Sequence, residues 1–139
     1  MIKVILESPY GGNVPRNEEY ARLAMRECLL RGESPYASHL LYTQPGVLDD
    51  TKQEERALGI SAGFEWREGA IKTVVYIDYG ISRGMHAGIL HAQSIHQVIE
   101  WRRLDYPVLF ECEITCNGPR AAYQFSLPGL VPFFHYVNL

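Results

Sequence analysis

What is scarce in this sequence removes several classes of protein. No basic run is longer than Arg102-Arg103, and the net charge is −3 with histidine neutral. Long-range attraction to a nucleic acid polymer or to an anionic membrane is therefore not expected. No run of about 18 apolar residues occurs, so no helix is expected to span a bilayer. The cysteines number three, Cys28, Cys112 and Cys116. That uneven count suits a reducing cytoplasm better than a secreted disulfide scaffold. Cys112 and Cys116 lack a second ligand pair, and no histidine follows them before His135, so free thiols are expected and no metal site. Phosphate-loop glycine patterns are missing as well. There is no Gly-Lys-Ser/Thr ending, no GxGxxG and no GxSxG elbow, and no cofactor is expected. The opening MIKVILESPYGG has too short an apolar run for a secretory signal and reads as a strand that stops at Ser-Pro. Repeats, linkers and low-complexity segments are also lacking.

What remains is an ordinary globular balance. The 139 residues are 47% hydrophobic and 21% charged, enough for one domain over residues 1–139 with its own core. Residues 2–6, IKVIL, read as a central strand. Residues 15–31 carry Tyr20, Leu23, Ala24, Cys28 and Leu29 at helical spacing, with Pro15 in the first turn and Gly32 as the stop. A short second strand is expected from Ser34, leading into HLLYTQPG. A helix capped by Asp50 or Thr51 follows, burying Leu58, Ala62 and Trp66. Residues 73–77 read as a third strand, 83–96 as a helix, and 98–101 and 108–110 as further strands. The aromatic, proline-rich C-terminal segment shows no clear period. Strands that alternate with helices argue for an α/β fold with a parallel sheet of about five strands and helices on both faces.

In such sheets ligands bind beyond the C-terminal ends of the strands, where the strand order reverses. Three segments fall there. In ESPYGGN, Pro9 and Gly11 flank Tyr10, whose ring could lie on a flat ligand, with Ser8 and Asn13 beside it; a packed tyrosine in a strand-to-helix turn is the plainer reading. ASHLLYTQ offers His39, Tyr42, Thr43 and Gln44, with His39 either a proton carrier or a backbone-bonded strand-end residue. DYGISRGMHAG is the richest. Asp78 ends a strand, where a carboxylate can meet sugar hydroxyls, and Ser82 can cap the next helix. The free N–H groups around Arg83, Gly84 and Met85 suit an anion. His86, His91 and His96 are five residues apart, which turns each about 140° from the last, so they cannot share one metal. His91 and His96 are expected to be exposed.

The glycine-methionine turn carries a resemblance. Asp78, then Tyr79-Gly80-Ile81-Ser82-Arg83, then Gly84-Met85-His86-Ala87-Gly88, resembles the nucleoside 2-deoxyribosyltransferase-like family, as does the N-terminal ESPYGG. The whole pattern of LESPYGGN, ASHLLYTQPGVLDD and DYGISRGM is most similar to small uncharacterised phage and bacterial proteins grouped with that fold. The resemblance implies a Rossmann-like (flavodoxin-like) sheet, an N-glycosidic substrate class and a homo-oligomer. It puts Asp78 on the family's substrate-holding aspartate. It also exposes a departure, because the nucleophilic glutamate of the family's Gly-Met-Glu-x-Gly is His86 here. Neutral imidazole cannot supply the negative charge that balances an oxocarbenium-like transition state.

Two expectations follow. In the first, the chain is a cytoplasmic protein that binds a nucleoside, nucleotide or nucleotide-derived signal without cleaving it. Tyr10 stacks on the base, Asp78 holds the sugar, residues 82–85 hold phosphate and His86 adds a contact. In a phage, such a protein would sequester a defence signal. In the second, it is an N-glycosidase or deoxyribosyltransferase with a relocated carboxylate, drawn from Glu7, Glu65 or Glu68, with Asp78 and His86 as further catalytic candidates and His39 or His86 as acid or base.

Overall fold

The computed structural model describes residues 1–105 and 109–139. Two sheets form, one parallel and one antiparallel. The first is built from β1 (Ile2–Glu7), β2 (Glu33–Tyr36), β3 (Lys72–Tyr76) and β4 (Val98–Arg102) in the order β2-β1-β3-β4, all parallel. The helices between them are α1 (Val14–Leu30), the single-turn α2 (Ser38–Leu41), α3 (Gln53–Glu65) and α4 (Arg83–Ser94).

Strand periodicity assigns the faces. Val4, Leu6, Val74 and Tyr76 point to one side and pack with Tyr20, Ala24 and Cys28 of α1. Val75 and Ile77 point to the other side and pack with Met85 and Ile89 of α4. Ile5 and Glu7 share that second side by alternation. Both faces are covered, which is why the strands read as continuous apolar runs. Pro35 is tolerated because β2 is an edge strand.

The expected fifth parallel strand is corrected. Val108 lies outside the described residues, and Phe110 makes one isolated antiparallel bridge to Trp101. In its place stands a three-stranded antiparallel sheet, β5 (Glu111–Asn117), β6 (Arg120–Ser126) and β7 (Phe133–Asn138), in sequence order. The connection between β5 and β6 is only Gly118-Pro119, with Gly118 at a φ of 59°. A parallel pair needs a crossover of a dozen residues or more, so so short a link forces an antiparallel hairpin. Ala121, Tyr123, Phe125 and Val137 on its inner face join the core over α4 and Trp101.

The helix faces also differ from expectation. Leu23 and Leu29 of α1 are exposed, and the helix packs through Asn17, Tyr20, Ala21, Ala24 and Cys28. Small residues let it lie close to the sheet, which leaves no room for leucines. On α3, Leu58 and Trp66 are exposed, and the buried position is Gly63, where a Cβ would stand 3.1 Å from Ser38 Cβ. Neither Asp50 nor Thr51 caps that helix. Its N-cap is Lys52, without a side-chain bond, while Asp50 pairs with Arg56 and Thr51 bonds Asp49. His91 is half-buried rather than exposed, stacked on Phe64 at 4.0 Å. Among the described residues no helix is long and apolar enough to cross a membrane, and no group of three metal-ligating side chains occurs.

Candidate ligand-binding site

The strand order reverses between β1 and β3, and a cavity of about 310 Å³ opens beyond the C-terminal ends of β1, β2 and β3. The end of β1 and the chain after it supply Glu7, Ser8, Tyr10 and Gly11; α2 and its exit supply Ser38, His39, Tyr42 and Thr43; and α4 supplies Arg83, Gly84 and Met85 behind its N-cap Ser82. The cavity is thus walled by all three segments singled out in the sequence. A fourth wall was not anticipated. Asp50, Glu55, Arg56, Gly59 and Ile60 bring α3 and the loop before it over the same space.

The polar end of the cavity is the first turn of α4. The Ser82 hydroxyl accepts the Met85 N–H at 3.2 Å. The N–H groups of Arg83 and Gly84 belong to the turn that has no intrahelical acceptor. Arg56 lies against this turn, since a Cβ on Gly84 would stand 3.4 Å from its Nη2. Asp50, which also lines the cavity, pairs with Arg56 at 2.5 Å. The Arg56 guanidinium, itself paired with Asp50, and a helix N-terminus therefore meet at one end of the cavity, with the exposed Arg83 lining it.

The other end is aromatic and nearly uncharged. Tyr10 meets His39 edge-on at 6.5 Å. His39 Nε2 and Ser8 Oγ are hydrogen-bonded at 2.7 Å. Burial pushes the His39 imidazole down to about 4, so the ring is neutral at physiological pH. Trp66 Nε1 donates to the Tyr42 hydroxyl at 3.0 Å and fixes that ring at the rim.

Glu7 lies at the floor. Its carboxylate accepts from Nη2 of Arg67, a residue just past α3 whose side chain is 2% exposed. Arg67 is held in turn by Thr73 Oγ1 at 2.6 Å. Burial pushes the Glu7 carboxyl up to about 7 against the opposing pull of Arg67. Gly88 of α4 leaves the space that this pair fills; a Cβ there would overlap the Glu7 carboxylate and stand 2.8 Å from Arg67 Nη2.

Several candidate residues lie elsewhere. Asp78 does not line the cavity: its carboxylate accepts from the Tyr20 hydroxyl and from the Leu104 and Asp105 N–H groups at 3.0 and 3.4 Å, pinning the chain after β4. His86 faces the antiparallel sheet, where its Nδ1 bonds the Tyr123 hydroxyl, and burial lowers its pKa. The reason is helical phase, because one residue beyond Met85 turns the side chain about 100°. Asn13 caps α1, the exposed Gln44 donates to Leu41 O at 3.2 Å, and Pro9 is buried behind the wall. Glu65 and Glu68 are exposed outside it.

Arg56, Ile60, Gly63 and Arg67 went unread in the sequence, although their 4-3-4 spacing marks one side of a helix. No curated protein matches the chain. A family model does match, over residues 2–102, which run from β1 to the end of β4 and stop short of the antiparallel sheet. The chain belongs to that family, described as a domain of unknown function, DUF7768.

Proposed function

We propose that this cavity binds a nucleoside, a nucleotide or a nucleotide-derived signalling molecule and holds it intact. The observation that carries the reading is the pairing of chemistries in one crevice: aromatic rings of Tyr10 and Tyr42 on one part of its wall, and Arg56 with the α4 N-terminus on another. A flat base and an anionic group on one molecule match that pairing. The strand order β2-β1-β3-β4 fits a flavodoxin-like, Rossmann-like sheet, whose ligands sit at this switch point. The resemblance of the glycine-methionine turn to the nucleoside 2-deoxyribosyltransferase-like family supports the same ligand class. In this reading phosphate lies at residues 82–85, and Asp78 and His86 serve the fold instead of the ligand. The protein works in the cytoplasm as a signal-sequestering homo-oligomer, with the exposed Phe134 and Tyr136 of β7 as its contact face.

A second reading is N-glycosidic cleavage, and one observation favours it: a carboxyl, that of Glu7, does enter the cavity. Mass spectrometry of the protein mixed with nucleosides, nucleotides and cyclic nucleotide signals separates the two. Intact ligand recovered after denaturation supports sequestration. Free base in the mixture supports cleavage, and no mass shift with any of them refutes both.

A further inference from the structure

Glu7 is unusual among the charged groups around the cavity. Asp50 and Arg56 pair with each other, Glu55 accepts from Lys52 and the Asp49 N–H, and Arg83 is exposed. Glu7 instead sits in a notch built for it. Gly88 removes the Cβ that would overlap it, and Arg67, anchored on Thr73, grips one carboxyl oxygen, Oε1. Among the described residues Oε2 has no hydrogen-bond partner, and the side chain keeps 15% of its surface open. A purely structural ion pair would close both oxygens; this one closes one and lines a cavity.

We propose that Glu7 is the specificity-determining carboxyl of the cavity, donating a hydrogen bond to a carbonyl or ring-nitrogen acceptor on the ligand, with Arg67 as its positioning residue. The proposal rests on the nucleoside or nucleotide reading for the identity of that acceptor. A donor role requires the proton to stay on Glu7, and burial holds it there up to about pH 7. Arg67 grips the carboxyl itself, and the other charged or titratable residues lining the cavity with it are Tyr10, His39 from α2, Tyr42 at its exit, Asp50 before α3, Glu55 and Arg56 from α3 and Arg83 from α4. Of these, His39 is already neutral above about pH 4, so it does not titrate in the same window.

The test is a pH series of calorimetric titrations from 5.5 to 8.5 with adenosine, guanosine, cytidine, thymidine and their 5′-monophosphates, on the wild type, Glu7→Gln and Arg67→Lys. The expected wild-type affinity falls about tenfold per pH unit above about 7. Glu7→Gln keeps a neutral donor and removes this fall, so any phosphate titration remains in both proteins and cancels. Arg67→Lys, which loses the planar fork, weakens binding at every pH. Carbon-13 NMR of the Glu7 carboxyl gives a ligand-free second measurement, with a midpoint near 7 expected. A midpoint below 5, a wild-type affinity that is level or rises with pH, or the same fall in Glu7→Gln overturns the proposal. A midpoint near 7 with no probe bound supports the proton-holding carboxyl and overturns the nucleotide reading instead.

Discussion

Gly88→Ala tests the floor of the cavity directly. In an ordinary exposed helix this change stabilises by about 1 kcal/mol, because alanine loses less backbone entropy than glycine. Here the new Cβ would overlap the Glu7 carboxylate, stand 2.6 Å from Glu7 Cδ and stand 2.8 Å from Arg67 Nη2. These atoms are side-chain ends, so the backbone need not move; relief comes from driving the carboxylate off its guanidinium. Above about pH 7, where Glu7 is ionised, separating this buried pair costs about 3–5 kcal/mol. Subtracting the helix gain leaves a loss of about 2–4 kcal/mol, or on the order of 10 °C in Tm for a domain of this size. Urea denaturation of wild type, Gly88→Ala, Glu7→Ala and the double variant measures it. In the Glu7→Ala background only Arg67 Nη2, the end of a flexible side chain, still has to give, so the cycle returns a coupling of about 2 kcal/mol or more. A Gly88→Ala protein that unfolds at or above the wild-type midpoint with an unchanged slope refutes the notch.

Four further outcomes are expected. Arg102, 2% exposed, bonds both oxygens of Glu33 at 2.7 Å and Glu100 at 2.6 Å, so Arg102→Met leaves these two acids with Lys72 alone and costs about 3 kcal/mol by denaturant titration, the low end for a broken buried pair. Burial acts to raise the Glu33 carboxyl, but Arg102 and Lys72 bring it down to about 2. Its contribution is therefore present above about pH 4.5 and lost as pH falls through 2, and Glu33→Gln flattens the stability curve in that window. His39 runs the same way for a different reason. Its folded pKa of about 4 lies below the free imidazole value, so about 3 kcal/mol present above pH 6.5 is lost as pH falls through 4, and His39→Gln removes that slope. Tyr123→Phe leaves the buried His86 Nδ1 without a partner and costs about 1–3 kcal/mol, while the His86→Phe, Tyr123→Phe double variant recovers part of it; equal stability of wild type and Tyr123→Phe would remove the docking role of His86.

The parallel sheet was legible because its strands are covered on both faces. Ile2 to Leu6 and Thr73 to Ile77 have no polar side to confuse with a helix. The loops at their ends were legible for the same topological reason, and Ser8, Tyr10, His39, Tyr42 and the residues 82–85 do wall one cavity. The antiparallel sheet was missed although Ala121, Tyr123 and Phe125 alternate cleanly with Ala122 and Gln124. The run Phe133-Phe134 and the turn prolines hid that period. Helix faces were misread where small residues do the packing, since Ala21 and Ala24 carry little hydrophobic signal beside Leu23. The pairing of Glu7 with Arg67 spans 60 positions, and no local pattern records a contact of that range.

The misreading of His86 has the most consequence for mechanism. The first turn of α4 serves two neighbours in succession: Gly84 and Met85 wall the cavity, and His86 then turns to Tyr123 on β6. The antiparallel sheet, which lies beyond the matched residues 2–102, thereby anchors the helix whose N-terminus faces the cavity. A carboxylate at position 86 would meet the Tyr123 ring and the 0% exposed Phe125 cluster, not the cavity. Exchanging His86 for glutamate would thus bury an unpaired charge rather than add an acid to the site. The carboxyl residues that do line this cavity are Glu7 at the end of β1, Asp50 before α3 and Glu55 on α3. Asp50 and Glu55 are engaged by Arg56 and by Lys52, whereas Glu7 keeps one oxygen without a partner among the described residues, in the space left by Gly88, one half-turn beyond His86 on the same helix.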